Sequence, residues 1–406
     1  MKKFFILVLA SIMCLAFVLP AMAEVKIGGS VQFDIYSYYE DEARRHAEVT
    51  GGGLPQGQVT TTGDDRKTKL AVYTYGTGFW ASYTNDEGNL GARVGWNYGY
   101  ENTAAVIDWQ SHYLWWKPMP DVTIYMGRIG QIASGDYYPA GHGGQMDISG
   151  TGGYCDLAAW SRPGVKAYIK INDMVSLHLG VYDPDDNDDG AAEVQVVPTS
   201  DPNQAYAPEQ NNIPRLDIGL PIKFGNFSIK PTAGWVVSEF DQAAVGADDE
   251  IDTWVITLNA AYTYGPLTLS GEYGFGENWS QANFGGAPGP AIQNYVDAAG
   301  NFRFSDTEND NWWLNLKWKI NPKMDLTAWY GEMSGENDDD PAVANDQWDI
   351  ETSMFGIEFQ YFITPYFKVH PSYALLSHGD TNYRGAALPV DDGERSALNL
   401  SFTISF

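Results

Sequence analysis

The residues able to make or break bonds are spread thinly along this chain. Its six histidines stand at positions 46, 112, 142, 178, 370 and 378, with no serine or cysteine nucleophile motif near any of them. A general base works only within hydrogen-bond reach of its nucleophile, held there by a third group, and this scatter argues against an enzyme. No P-loop, dinucleotide fingerprint or zinc spacing is present, so no cofactor is implied and the glycine-rich stretches read as loops. Cys155 has no partner for an intrachain disulfide once Cys14 is set aside in the leader described below. Nothing near it in sequence would favour its thiolate, so it reads as a packed or modestly exposed thiol. One segment carries metal-ligand spacing. Asp185-x-Asn187-x-Asp189-Gly190 is the front half of an EF-hand loop. Position twelve, where a bidentate Glu would close the site, is Val196, and the setting is strand-loop-strand. A solvated acidic loop is favoured over an ordered Ca²⁺ site built on Asp185, Asn187 and Asp189.

Charge and targeting narrow the class. Lys and Arg number 24 against 52 Asp and Glu, for a net charge of −28. That balance argues against nucleic-acid binding, and the acids gather between the predicted strands. Lys2 and Lys3 precede an apolar run, Phe4 to Leu19, and Ala21-Met22-Ala23 has the form that signal peptidase cuts. Residues 1–23 are therefore expected to be a cleaved signal peptide and residues 24–406 one exported domain. Cys14 lies inside that leader in a poor lipoprotein context, so no lipid anchor is read. No later apolar run approaches the roughly 18–20 residues of a spanning helix. In lipid the other solution is a closed β-barrel, whose alternation is compatible with a mean hydropathy of −0.30. Aromatics at 14% suit a barrel girdled by Tyr and Trp at the membrane interfaces.

The elements follow a period of two. In the last strand Leu398, Leu400, Phe402, Ile404 and Phe406 share one face, and Asn399, Ser401, Thr403 and Ser405 the other. Its terminal Phe resembles the closing strand of Gram-negative outer-membrane barrels, the segment read by the barrel-assembly machinery. In the third strand Leu90, Ala92, Val94, Trp96 and Tyr98 oppose Gly91, Arg93, Gly95, Asn97 and Gly99. A charge on the lipid face costs ~2–4 kcal/mol at mid-bilayer, so Arg93 is expected to point inward. Other strands are expected near 25–39, 66–84, 112–117, 122–129, 165–171, 175–182, 215–223, 227–240, 251–264, 267–278, 312–320, 324–333, 352–363 and 367–377. The sum is sixteen antiparallel strands, an even number, with short periplasmic turns and long outer loops.

This pattern resembles the general trimeric porins of outer membranes, and most of all the homotrimeric porins of sulfate- and metal-reducing bacteria. The likeness spans residues 24–406 in topology. Its sharpest local match is Thr123-Ile124-Tyr125-Met126-Gly127-Arg128, similar to the strand ending that precedes the family's third loop. Arg162-Pro163-Gly164-Val165 stands where the family re-enters the wall, and Asn85–Asn89 resembles its first periplasmic turn. The acidic PEFGG-like stretch of enteric porins is missing from the third loop. The resemblance implies a sixteen-stranded transmembrane barrel whose third loop, residues 129–161, folds inward. It also implies a homotrimer in the outer membrane, in contact with lipid and lipopolysaccharide, that passes small hydrophilic solutes.

It implies too that the working part is a constriction whose size and field filter hydrated solutes. The acids available on the loop are Asp136, Asp147 and Asp156. The bases on the wall are Arg66, Lys69, Arg93, Arg128, Arg162, Lys166 and Lys170. Each could equally be a solvated charge in a wide lumen, and each Asp a turn-maker beside Gly. The acidic loops lean the expected selectivity toward cations. Their carboxylates could also hold divalent cations that bridge lipopolysaccharide. Two rival readings remain. A regular run of lumen-facing aromatics would favour a substrate-specific channel, and a plugged lumen an adhesin or envelope anchor.

Overall fold

A computed structural model of the chain describes residues 24–41, 66–73, 77–101, 104–133, 161–183, 213–239, 250–278, 293–296, 302–337, 349–378 and 393–406. The wall begins with β1 (Glu24–Asp41), which pairs along one edge with β2 (Arg66–Tyr73) and β3 (Thr77–Thr84). It continues through β4 (Leu90–Glu101), β5 (Ala104–Met119), β6 (Val122–Gly130), β7 (Ser161–Lys170) and β8 (Ser176–Tyr182). The next stave is split into β9 (Arg215–Gly219) and β10 (Ile222–Phe224). Then come β11 (Phe227–Glu239), β12 (Glu250–Tyr264) and β13 (Leu267–Glu277). A separate two-stranded sheet, β14 (Gln293–Val296) with β15 (Phe302–Ser305), interrupts the wall sequence. It resumes with β16 (Thr307–Asn321), β17 (Met324–Asn337), β18 (Asp349–Thr364), β19 (Phe367–His378) and β20 (Gly393–Ser405). Counting β2 with β3 and β9 with β10 as single staves gives a closed antiparallel barrel of 16.

Closure is the pairing of β1 with β20, from Ser30 opposite Ser405 to Glu40 opposite Arg395. Phe406 extends the seam. Its N–H donates to Gly29 O and its carbonyl accepts from Gly29 N–H, both at 3.0 Å. The faces follow the alternation. Leu398 is 61% exposed on the outside, while the next inward residue, Asn399, is 1% exposed. The same inversion holds where Leu314 and Leu316 are exposed and Asn311 and Asn315 are buried. An apolar outer face and a polar inner one suit a barrel with lipid outside and water within.

Turns at the end carrying Glu24 and Phe406 are short and closed by their own side chains. Asn85 Oδ1 accepts the N–H groups of Asn89 and Leu90 at 3.1 and 3.0 Å, and Asn172 Oδ1 those of Met174 and Val175 at 2.8 and 2.9 Å. Gly225 takes a φ of 57° between β10 and β11, a left-handed value that suits glycine.

Several strands are longer than their periodicity predicts. β5 starts at Ala104 rather than His112, β16 at Thr307 rather than Trp312, and β17 runs to Asn337 rather than Met333. Thr307-Glu308-Asn309-Asp310 is polar on both faces, because above the lipid band neither side has to be greasy. β7 starts at Ser161, so Arg162 stands on the wall itself. The expected second strand is described as two pieces, β2 and β3.

Candidate pore site

The third loop leaves the wall at the end of β6, and its first residues turn inward. Ile129, Ile132 and Ala133 are all buried. The N–H groups of Ile132 and Ala133 both donate to Asp217 Oδ2 at 2.9 Å. Asp217 lies on β9, three staves on from β6, and shares its lumen face with Arg215. Arg215 Nε donates to Asp217 Oδ1 at 2.9 Å, and Arg215 Nη2 reaches Ala133 O at 3.3 Å. Both side chains of this ion pair are fully buried. Such a pair holds only when its remaining donors and acceptors are satisfied, and here the loop backbone does that. Gly130 is held from β7 and β8. Lys166 Nζ donates to Gly130 O at 2.9 Å, and Tyr182 Oη to the same oxygen at 3.4 Å. Gly219 leaves the space that Ile132 fills, since a Cβ there would come within 2.9 Å of its Cγ2.

The expected bases separate into groups. Arg93 and Lys166 face the lumen. The Arg93 guanidinium lies 4.8 Å from the Trp80 ring, and Lys166 lies 5.5 and 5.1 Å from the rings of Tyr125 and Tyr168. Arg162 also turns inward, opposite Ile129, but is buried, with Nη1 donating to Asp183 O at 3.2 Å. Lys170 is exposed at the short-turn end, where it pairs with Asp173 at 2.6 Å. That ammonium holds the Asp173 carboxyl below the usual carboxylate range. Arg128 is a correction. It stands opposite His112 and Pro163, on the same face as Met126 and the exposed Leu114, and so points outward. Strict alternation from the inward Tyr125 requires this, and the strand-ending motif obscured it. Arg66 and Lys69 pair in backbone register with Asp41 and Tyr38, toward the outer end of β1. Asp136, Asp147, Asp156 and Cys155 lie outside the described residues, as do Asp185, Asn187 and Asp189.

Further described acids of the lumen stand on β1, β13, β17 and β18. Asp34 accepts from Gln32 Nε2 at 3.0 Å and from Ser401 Oγ, beside Asn399. Glu358 is buried against His370 Nδ1 at 3.5 Å, and His370 Nε2 meets Thr403 Oγ1 at 2.9 Å. Lys317 pairs with Asp325 at 3.3 Å. Glu272 accepts from Asn311 Nδ2 at 2.9 Å. By stave order, Lys166 on β7 and Glu358 on β18 are half the ring apart, as are Arg93 on β4 and Glu272 on β13. Asp217, Arg215, Asp34 and Glu358 are not among the residues expected from sequence, because the family resemblance points to the acids of the third loop. Their signal was present as inward parity, as in Arg215 and Asp217 flanking Leu216.

A closed barrel with a lipid-compatible exterior, a charged polar interior and a loop rooted inside is an outer-membrane channel. The chain matches the family model for Gram-negative porins over residues 9–381, and it belongs to that family. No curated protein sequence matches it. Among solved structures it is similar to the outer membrane channel DcaP of Acinetobacter baumannii, at 16% identity and a TM-score of 0.65, covering 96% of this chain and 99% of that one. It is also similar to the anion-selective porin of Comamonas acidovorans, at 12% identity and a TM-score of 0.55, covering 95% and 100%. The in-vitro folded trimer form of OmpT from Vibrio cholerae matches at 12% identity and a TM-score of 0.53, covering 95% and 99%. At these identities the likeness is one of fold. The protein is an outer-membrane porin that passes solutes by passive diffusion.

Proposed function

We propose that this porin is a general channel for small hydrophilic solutes and ions, narrowed where the third loop enters the lumen. The observation that carries the reading is the seat of Ile132 and Ala133 on Asp217, inside the barrel and three staves from where the loop departs. Arg93 and Lys166 on one side, with Glu358 and Glu272 half the ring away, supply a field across the passage rather than along it. Such a field orients dipolar solutes and disfavours apolar ones. The chemistry assigned to the site is selection, with no bond made or broken.

The working assembly is a homotrimer of residues 24–406, formed after cleavage behind Ala23. The OmpT trimer supports the first part, and the Ala21-Met22-Ala23 form supports the second. N-terminal sequencing of membrane-extracted protein reads Glu24 on this account, and chemical cross-linking stops at a three-chain band.

The experiment is swelling of liposomes that contain the purified protein, in isotonic sugars of increasing size. Entry rates fall smoothly from pentoses to disaccharides if the pore is general. Uptake of one sugar far out of line with its size would favour the rival reading, a substrate-specific channel. The lumen-facing aromatics of β3 to β8 are the feature that keeps that rival in view.

A further inference from the structure

The inner faces of β3 and of β5 to β8 carry rings, and four of them form a chain of contacts from β5 to β8. Trp80 stands on β3, Tyr113 and Trp115 on β5, Tyr125 on β6, Tyr168 on β7 and His178 on β8. Tyr113 and Tyr125 meet edge-on, with centroids 5.7 Å apart and planes at 71°. Tyr125 and Tyr168 follow at 5.3 Å, and Tyr168 stacks on His178 at 3.9 Å with an angle of 24°. Glycines opposite the rings let them lie along the wall. A Cβ on Gly91 would strike the Trp115 ring at 2.3 Å, and one on Gly28 the Trp80 ring at 2.6 Å. Gly127, with a φ of 129°, instead makes room for the β5 backbone, since a Cβ there would come within 2.3 Å of His112 O. The rings are half-buried, with one side on the wall and one toward the lumen.

The charges set among these rings are positive. Lys166 lies between Tyr125 and Tyr168, and Arg93 lies over Trp80. Lys117 lies 5.4 Å from the Trp115 ring at the short-turn end. Among the residues whose side chains are described, the lumen carboxylates stand on other staves. A girdle ring faces lipid and anchors the barrel, but these rings face water, where apolar area gains nothing unless a solute covers it. A neutral sugar would be served by rings flanked with carboxylates or amides. Rings flanked by cations suit a flat solute that carries a negative charge.

We propose that this wall is a binding surface for planar carboxylates, with Tyr125 and Tyr168 as the stacking faces and Lys166 and Arg93 as the partners of the carboxylate. The inference rests on the channel reading above and deepens it by naming a solute class. Acidic loops at the mouth set how often an anion arrives, while the wall sets how long it stays.

The test is single-channel recording of the whole protein in KCl, with benzoate, acetate or benzyl alcohol added to one side. Benzoate is expected to cause resolved blocking events at about a tenfold lower concentration than acetate, because stacking adds to charge. Benzyl alcohol, which has the ring without the charge, is expected to cause none. Lys166→Met should abolish the benzoate events, and Tyr125→Leu or Tyr168→Leu should reduce them to the acetate level. Each variant must keep its heat-shifted mobility on gels, and the two tyrosine variants are independent should either fail to fold. Equal block by benzoate and acetate would overturn the stacking role, and equal block by benzoate and benzyl alcohol would overturn the charge role. A channel that conducts KCl yet shows no benzoate events overturns the inference alone. A silent barrel overturns the channel reading and the inference with it.

Discussion

Asp217 Oδ2 accepts the backbone N–H of Ala133 at 2.9 Å, joining residues 84 positions apart in sequence. The same oxygen takes Ile132 N–H, and the other carboxylate oxygen takes Arg215. One carboxylate thus ties the root of the third loop to the far side of β8.

Asp217→Ala removes the acceptor and leaves Arg215 buried without its carboxylate. Breaking one partner of a buried pair costs about 3–5 kcal/mol. The expected result is a lower unfolding midpoint by circular dichroism and a noisier, larger conductance as the loop root comes loose. The double variant Arg215→Met with Asp217→Leu should regain much of the stability but keep the noisy channel. If both variants conduct like the wild type, the latch does not hold the loop.

Lys166 and Arg93 supply the positive side of the field. Lys166→Met is expected to move the zero-current potential in a KCl gradient toward cation preference, and Arg93→Met to move it in the same direction. Arg128→Met, facing outward, should leave the potential where it was. A shift from Arg128→Met as large as that from Lys166→Met would place Arg128 in the lumen after all.

Much of this was legible in the sequence. The sixteen staves, the inward turn of Arg93 and the closing strand all follow from a period of two, because lipid on one side and water on the other impose it residue by residue. What the period could not show was which inward charges meet. Arg215 and Asp217 are local neighbours with inward parity, but their partner is loop backbone that arrives from more than eighty residues earlier. Arg128 differs for the opposite reason: its strand ending resembles the family's, but the parity of Tyr125 turns it outward. The polar ends of β16 and β17 were missed because strands above the bilayer have lost the constraint that makes them readable.

Leu316 and Lys317 are adjacent on β16, one facing lipid and the other paired with Asp325 in the lumen. Leu316→Arg is expected to cost ~2–4 kcal/mol, as charges do on the lipid face near mid-bilayer. Urea titration of the barrel in lipid vesicles measures it. A cost below about 1 kcal/mol would move that position to the interface.

Gly127 combines a φ of 129° with a Cβ direction that points 2.3 Å from His112 O. Gly127→Val forces both strain and a backbone clash, and backbone strain of this kind costs about 1–3 kcal/mol. The folded fraction on a gel heat-shift series should drop at lower temperature than in the wild type. Gly130→Ala, where a Cβ meets nothing within 4 Å, should change little.

The central claim is an open, loop-narrowed channel, and single-channel recording of the purified protein in planar bilayers under a KCl gradient tests it most directly. The account predicts long-lived open levels that close in three equal steps, one per protomer, with Asp217→Ala raising the conductance of each step. A barrel that inserts but stays silent would contradict it, as would one whose conductance is indifferent to Asp217.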